Sequence, residues 1–205
     1  MAAIRDAWQS SDELDILVLG DESGSGETGW VRQFAELASQ DRPVVYLEWD
    51  SASSDYDKAE LGATGGARTN IYNVSLRDGT ASKASQAKKA YGDSSPDIVI
   101  LSFGNHEDRT RVADSYDELV ASLPGSPLVV ALLQNPHADE GMQRENARAI
   151  KGWGKNSQTP VMDVFAAFVN ADKPLDELLT DGGEIPNQVG ARLWADYIIE
   201  QLGKE

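Results

Sequence analysis

The sequence predicts an α/β protein in three layers, with helices on both faces of a mainly parallel sheet. Three observations predict it. Short runs rich in Val, Ile and Leu recur without polar alternation, the pattern of strands covered on both faces. Segments with apolar residues every three to four positions lie between them. Several of the runs end in loops dense in Gly, Asp, Asn and Ser, as turns at strand ends demand.

In chain order, the polar stretch 1–13 reads as an N-terminal arm and 14–205 as one domain, a size that buries a substantial core. "DILVLG" (15–20) is the first strand, and 28–39 follows as a helix with Trp30, Val31, Phe34 and Leu37 on one stripe. "PVVYLEW" (43–49) is the second strand. The stretch 50–69 is a long polar connection, of a length usually reserved for function or mobility. "NIYNVS" (70–75), "DIVILSF" (97–103) and "PLVVALL" (127–133) are the next strands, with a short sixth at 160–164. Helical patterns occupy 80–91, 108–123 and 139–153. The last, 187–202, carries Val189, Leu193, Trp194, Tyr197 and Ile198. Such alternation implies right-handed crossovers. Trp30, Trp153 and Trp194 read as packing residues. Trp8, with Ile4 on the arm, either docks another subunit or folds back on its own domain.

Composition narrows the chemistry. The absence of cysteine excludes disulfides, thiolate metal sites and cysteine nucleophiles, and two histidines are too few for a multi-histidine metal centre. No cofactor and no metal are expected. A formal charge of −16 argues against nucleic acid and anionic lipid as partners. No apolar run reaches membrane-spanning length and the first residues lack a signal-peptide pattern, so the expected location is the cytoplasm or an assembly of cytoplasmic subunits.

In an open parallel sheet, ligands bind beyond the carboxyl ends of the strands. The segments there are "GDESGSG", "NVSLRDG", "FGNHED" and "LLQNPHADE", with "DGGEIPN" before the last helix. In that order they resemble the sequence blocks of the SGNH, or GDSL-type, hydrolase family over roughly residues 14–200. The resemblance implies a flavodoxin-like, five-stranded α/β/α fold. It also implies a serine nucleophile, a histidine base oriented by an aspartate, and an oxyanion hole. Carried over position by position, Gly20 and Asp21 match, but Glu22 stands in the serine's place. Ser75 stands where the oxyanion glycine belongs, and Asn105 matches the oxyanion asparagine. Anchoring the last block on Pro186-Asn187 puts Ile185 at the catalytic histidine and Gly182 at the aspartate, with Asp181 one residue away. A glutamate offers no hydroxyl and an isoleucine accepts no proton.

The expectation is therefore a hydrolase fold without its triad, leaning away from enzyme activity: a structural or binding module. The last two blocks are also similar to SGNH-like proteins of actinobacterial phage virions. That likeness implies a tail or capsid-surface location, other subunits as partners and contact with cell-envelope glycan. The alternatives are an esterase or carbohydrate deacetylase with displaced groups, or a carbohydrate-binding protein. Ser23 with His106, and Asp181 nearby, would supply the displaced groups. Against this, Ser23 and Ser25 suit a helix-capping turn, and His106 and His137 suit locally bonded loop positions. Asp21, Glu22, Asp181 and Glu184 either converge as paired carboxylates, able to serve glycoside hydrolysis or hold a cation, or form a solvated acidic rim.

Overall fold

The computed structural model describes residues 1–62, 68–138 and 141–204. Its strands are β1 (Glu13–Asp21), β2 (Val44–Asp50), β3 (Asp55–Leu61), β4 (Arg68–Leu76), β5 (Ile98–Ser102), β6 (Leu128–Leu132) and β7 (Val161–Met162). Its helices are α1 (Ala2–Ser10), α2 (Trp30–Ala38), α3 (Ala81–Gln86), α4 (Val112–Ser122), α5 (Gly141–Ser157), α6 (Val164–Val169), α7 (Leu175–Leu178) and α8 (Gln188–Gly203). The expected three-layer α/β/α architecture holds. The start of the helix expected at 139–153 lies outside the described residues.

Two details of the sheet differ from expectation. Among the described residues it has seven strands in the order β3-β2-β4-β1-β5-β6-β7, not five. One addition is β7, in the position of the anticipated sixth strand. The other is β3, antiparallel to β2 within what reads as the polar connection 50–69. Its residues alternate between exposed and half-buried, as an edge strand with one wet face allows. Five strands, β4-β1-β5-β6-β7, keep the flavodoxin pattern, in which the first strand lies between the second and third, and the β2–β3 pair is added beyond them. Here β4 lies between β2 and β1, so β1 takes the centre of the sheet. Its sequence suits that place, since from Ile16 to Asp21 every residue is buried.

The apolar residues of β1 divide between two cores. Ile16 and Val18 join Trp30 and Phe34 of α2 and Trp194 and Ile198 of α8. Leu17 and Leu19 join Ala84 of α3, Tyr116 of α4 and Ile150 and Trp153 of α5. In the first layer Trp30 and Trp194 stack at a centroid distance of 5.2 Å with planes 2° apart. The N-terminal arm is largely helical and packs on its own domain: Ile4 is buried, the Trp8 ring lies 5.7 Å from Phe34, and the Arg5 guanidinium donates to the Gln201 carbonyl.

The connection from β1 leads to the α2 layer, whereas those from β4, β5 and β6 lead to α3, α4 and α5 in the opposite layer. In register, Gly20 pairs with both Ser75 and Ser102, and Leu101 pairs with Ala131. The carboxyl ends of β1, β4, β5 and β6 are thus nearly level, and their loops emerge together where the crossovers diverge.

Candidate functional site at the strand ends

The loop after β1 is built from short-range hydrogen bonds. Asp21 ends the strand wholly buried, and its Oδ1 accepts from both the Ser23 N–H (3.1 Å) and the Ser23 hydroxyl (2.6 Å). This caps a single 3₁₀ turn over Glu22–Gly24. Asn73 of β4 holds the turn from the side: its Nδ2 donates to the Gly24 carbonyl at 2.9 Å, and its Oδ1 accepts from the Ser75 hydroxyl at 2.7 Å. A side chain at Gly24 would collide with Ser75 Oγ and lie 2.9 Å from Val31, so the close approach requires glycine. Further on, the Gly26 N–H donates to Glu48 Oε1 at 2.6 Å.

Glu22 projects from this turn toward the loop after β5, where its Oε1 accepts from His106 Nε2 at 2.7 Å. The pair is partly exposed, at 27% for the glutamate side chain and 29% for the histidine. Asp78, on the exposed loop after β4, brings its carboxylate to the same place. One ligand atom from each of Glu22, Asp78 and His106 lies within 4.8 Å of the others.

Asn105 precedes His106 and is itself buried. Its Oδ1 accepts from His137 Nε2 at 3.0 Å and from Gln143 Nε2 at 2.9 Å. Its Nδ2 is buried with no hydrogen-bond partner among the described residues. Asn146 of α5 donates to the carbonyls of Gly104 (2.7 Å) and Glu107 (3.0 Å), anchoring the loop from below. Glu107 is buried and accepts the Ala81 N–H at 2.5 Å, tying the β5 loop to the start of α3.

The electrostatics follow from burial. Desolvation raises the Asp21 carboxyl from 3.8 to about 7, against the lowering effect of its two Ser23 hydrogen bonds. Burial also raises Glu107, which the Ala81 N–H only partly offsets. Buried polar atoms without partners concentrate here: Asp21 Oδ2, Glu22 Oε2, Asn105 Nδ2, Gln134 Oε1, Asn135 Oδ1 and Asn146 Oδ1. A cleft of about 490 Å³ opens beside them, lined by His106, Glu107, Asp108, Arg109 and Asn146. A larger groove, about 870 Å³, lies among α6, α7 and α8 and contains none of these residues.

The residues singled out from sequence are distributed unevenly. Glu22, Ser23, Asn105 and His106 fall in the strand-end loops, and Ser75 is the next-to-last residue of β4. Ser23 and His106 are not bonded to each other: the serine hydroxyl is committed to Asp21 and the imidazole to Glu22. His137 serves Asn105. Ile185 is half-buried, with its carbonyl accepting the Thr180 N–H. Asp181 and Glu184 are exposed, and neither belongs to the Glu22 cluster. The carboxylate that does join Glu22 is Asp78, a residue sequence reasoning did not single out. The "RDG" turn ending the second block was the available signal. Chemically, the site has a carboxylate–imidazole pair and an unused amide donor. The buried Ser23 hydroxyl has a carboxyl, not an imidazole, beside it.

No protein-family model matches the sequence, and no curated protein matches it. Solved structures do. A lipase/acylhydrolase from Enterococcus faecalis superposes with a TM-score of 0.71 at 14% identity, over 93% of this chain and 95% of that one. A member of the lipolytic protein G-D-S-L family from Veillonella parvula gives 0.63 at 16% identity, over 91% and 96%. An acetyl-xylooligosaccharide esterase from Geobacillus gives 0.65 at 14% identity, over 94% and 95%. The chain therefore has the fold of the SGNH/GDSL hydrolases along nearly its whole length.

Proposed function

We propose that this protein is a non-catalytic SGNH-hydrolase-like module, a structural or binding subunit that keeps the scaffold and the strand-end cleft. One observation carries this reading. The first residue after Gly20-Asp21 is Glu22, and its carboxylate holds His106, the imidazole nearest that turn in the hydrogen-bond pattern, at 2.7 Å. Ser23 is only 3% exposed and its proton is directed at Asp21, so an incoming acyl carbonyl meets no accessible hydroxyl paired with an imidazole. The Asn105 amide, whose buried Nδ2 has no partner among the described residues, stands where the resemblance places an oxyanion donor.

The finer reading, a subunit of a particle such as a phage virion that touches cell-envelope glycan, rests on the sequence resemblance. The decisive experiment is hydrolysis of p-nitrophenyl acetate and butyrate, paired with fluorophosphonate labelling. The expected result is a rate equal to the uncatalysed blank and no labelled band. Turnover abolished by Ser23→Ala would overturn the proposal in favour of an esterase with displaced parts. The Ser23–Asp21 contact and the raised Asp21 carboxyl are the observations that favour that rival. A glycan array separates carbohydrate binding from a purely structural role.

A further inference from the structure

The geometry points to a divalent-cation site among the strand-end loops, held by the carboxylates of Glu22 and Asp78 and the imidazole of His106, with the chemistry of a first-row transition ion such as Zn²⁺ or Mn²⁺. It deepens the reading of a non-catalytic binding module and rests on it, because it gives Glu22 a ligand role in place of a nucleophile.

The three donors come from three different loops, after β1, β4 and β5, and one atom from each lies within 4.8 Å of the others. Only the fold assembles them. A second observation is independent of that spacing. Asp21 is wholly buried, its Oδ1 is taken by Ser23, and its Oδ2 has no partner among the described residues; Glu22 Oε2 is likewise buried and unpartnered. Two consecutive carboxyl groups thus each keep a solvent-excluded oxygen that no described residue satisfies. A buried acceptor in that state costs free energy that a nearby cation offsets.

The donor set selects the kind of ion. Carboxylates alone suit Ca²⁺ or Mg²⁺, whereas an imidazole nitrogen shifts preference toward transition ions. The Glu22–His106 contact of 2.7 Å needs only a small opening. Two ligands each about 2.0–2.1 Å from a tetrahedral ion sit about 3.3 Å apart. The ion would replace the proton that the imidazole and carboxylate share. Three protein ligands leave a fourth position for water, and the overall charge of −16 draws cations to the chain.

The test is calorimetric titration of the chelator-treated full chain with Zn²⁺ and Mn²⁺, with Mg²⁺ and Ca²⁺ alongside. The expected result is one saturable site for Zn²⁺ or Mn²⁺, weakened at least about tenfold by His106→Ala and by Asp78→Asn. Both side chains lie on loops, and circular dichroism checks that each variant is folded. Asp181→Asn, exposed and outside the cluster, leaves binding unchanged. Absence of saturable binding overturns the site, as does unweakened binding in either variant or a preference for Ca²⁺ or Mg²⁺. These failures leave the ester assay untouched, while ester turnover would sink the non-catalytic reading without altering the titration.

Discussion

Ser23 gives both of its donors to one oxygen of Asp21, the hydroxyl at 2.6 Å and the backbone N–H at 3.1 Å. The hydroxyl's role is to close the turn after β1. Ser23→Ala removes one buried hydrogen bond to a carboxyl group and is expected to lower unfolding free energy by about 1–2 kcal/mol. It leaves the background ester-hydrolysis rate unchanged. Urea denaturation and the p-nitrophenyl assay, run on the same preparation, check both halves.

Asp21 makes stability depend on pH with an unusual sign. Its carboxyl is raised from 3.8 to about 7, so between these values the folded state holds a proton that the unfolded chain has released. Stability from this group is full below about pH 4, falls as pH rises toward 7 and levels off above. Glu22 adds to the rise and His106 opposes it, both less than burial does. The gap corresponds to about 4 kcal/mol at most. Asp21→Asn, neutral at every pH, is expected to flatten the difference between denaturation midpoints at pH 4.5 and 7.5 in chelator-treated protein. An equal slope in both proteins would contradict the assignment.

Replacing Glu22 alone does not rebuild a hydrolase. Glu22→Ser supplies a hydroxyl and frees His106, yet Ile185 still stands where the resemblance places the base. The expected outcome is no fluorophosphonate labelling and no ester turnover above the blank.

Gly79 sits where the loop after β4 crosses the end of β1. A Cβ there would lie 2.8 Å from the carbonyls of Gly20 and Leu76 and 2.9 Å from the Asp21 Cα. All three are backbone atoms and cannot rotate away. Gly79→Ala is expected to cost about 1–3 kcal/mol, read as a lower thermal midpoint.

The stacked pair Trp30–Trp194 joins α2 to α8, and both rings are fully buried. Trp194→Ala leaves a large cavity in that layer, with an expected loss of about 3–5 kcal/mol. Trp194→Phe should retain much of it, since the indole N–H has no partner among the described residues to lose.

Much of the fold was legible because β1, β5 and β6 carry apolar runs with residues on both faces, a pattern that depends on neighbours in the sequence. The strand β3, "DYDKAEL", escaped because an edge strand needs only one dry face, and here that face is supplied by Tyr56 packing on Trp49 and Tyr72. The place of β2 on the far side of β4 escaped for another reason: local pattern marks a strand as buried without saying which partners flank it. In the site, the sequence itself shows a carboxylate at Glu22 and an aliphatic side chain at Ile185. The Glu22–His106 bond spans 84 residues and the Asn105–His137 bond spans 32, and nothing in local sequence announces either. Asp78 was hidden because an aspartate beside glycine ordinarily signals only a turn.

The two margins of the sheet bear on how copies of this chain can gather. On one side β3 presents Asp57, Lys58 and Glu60 to solvent, with Lys58 and Glu60 paired at 2.8 Å; on the other, β7 offers just two residues. Charge on one border and brevity on the other both discourage strand-to-strand annealing between molecules. Any higher-order array of this protein is thus steered toward contacts through helices and loops, which can be separated again without tearing a ladder of backbone hydrogen bonds.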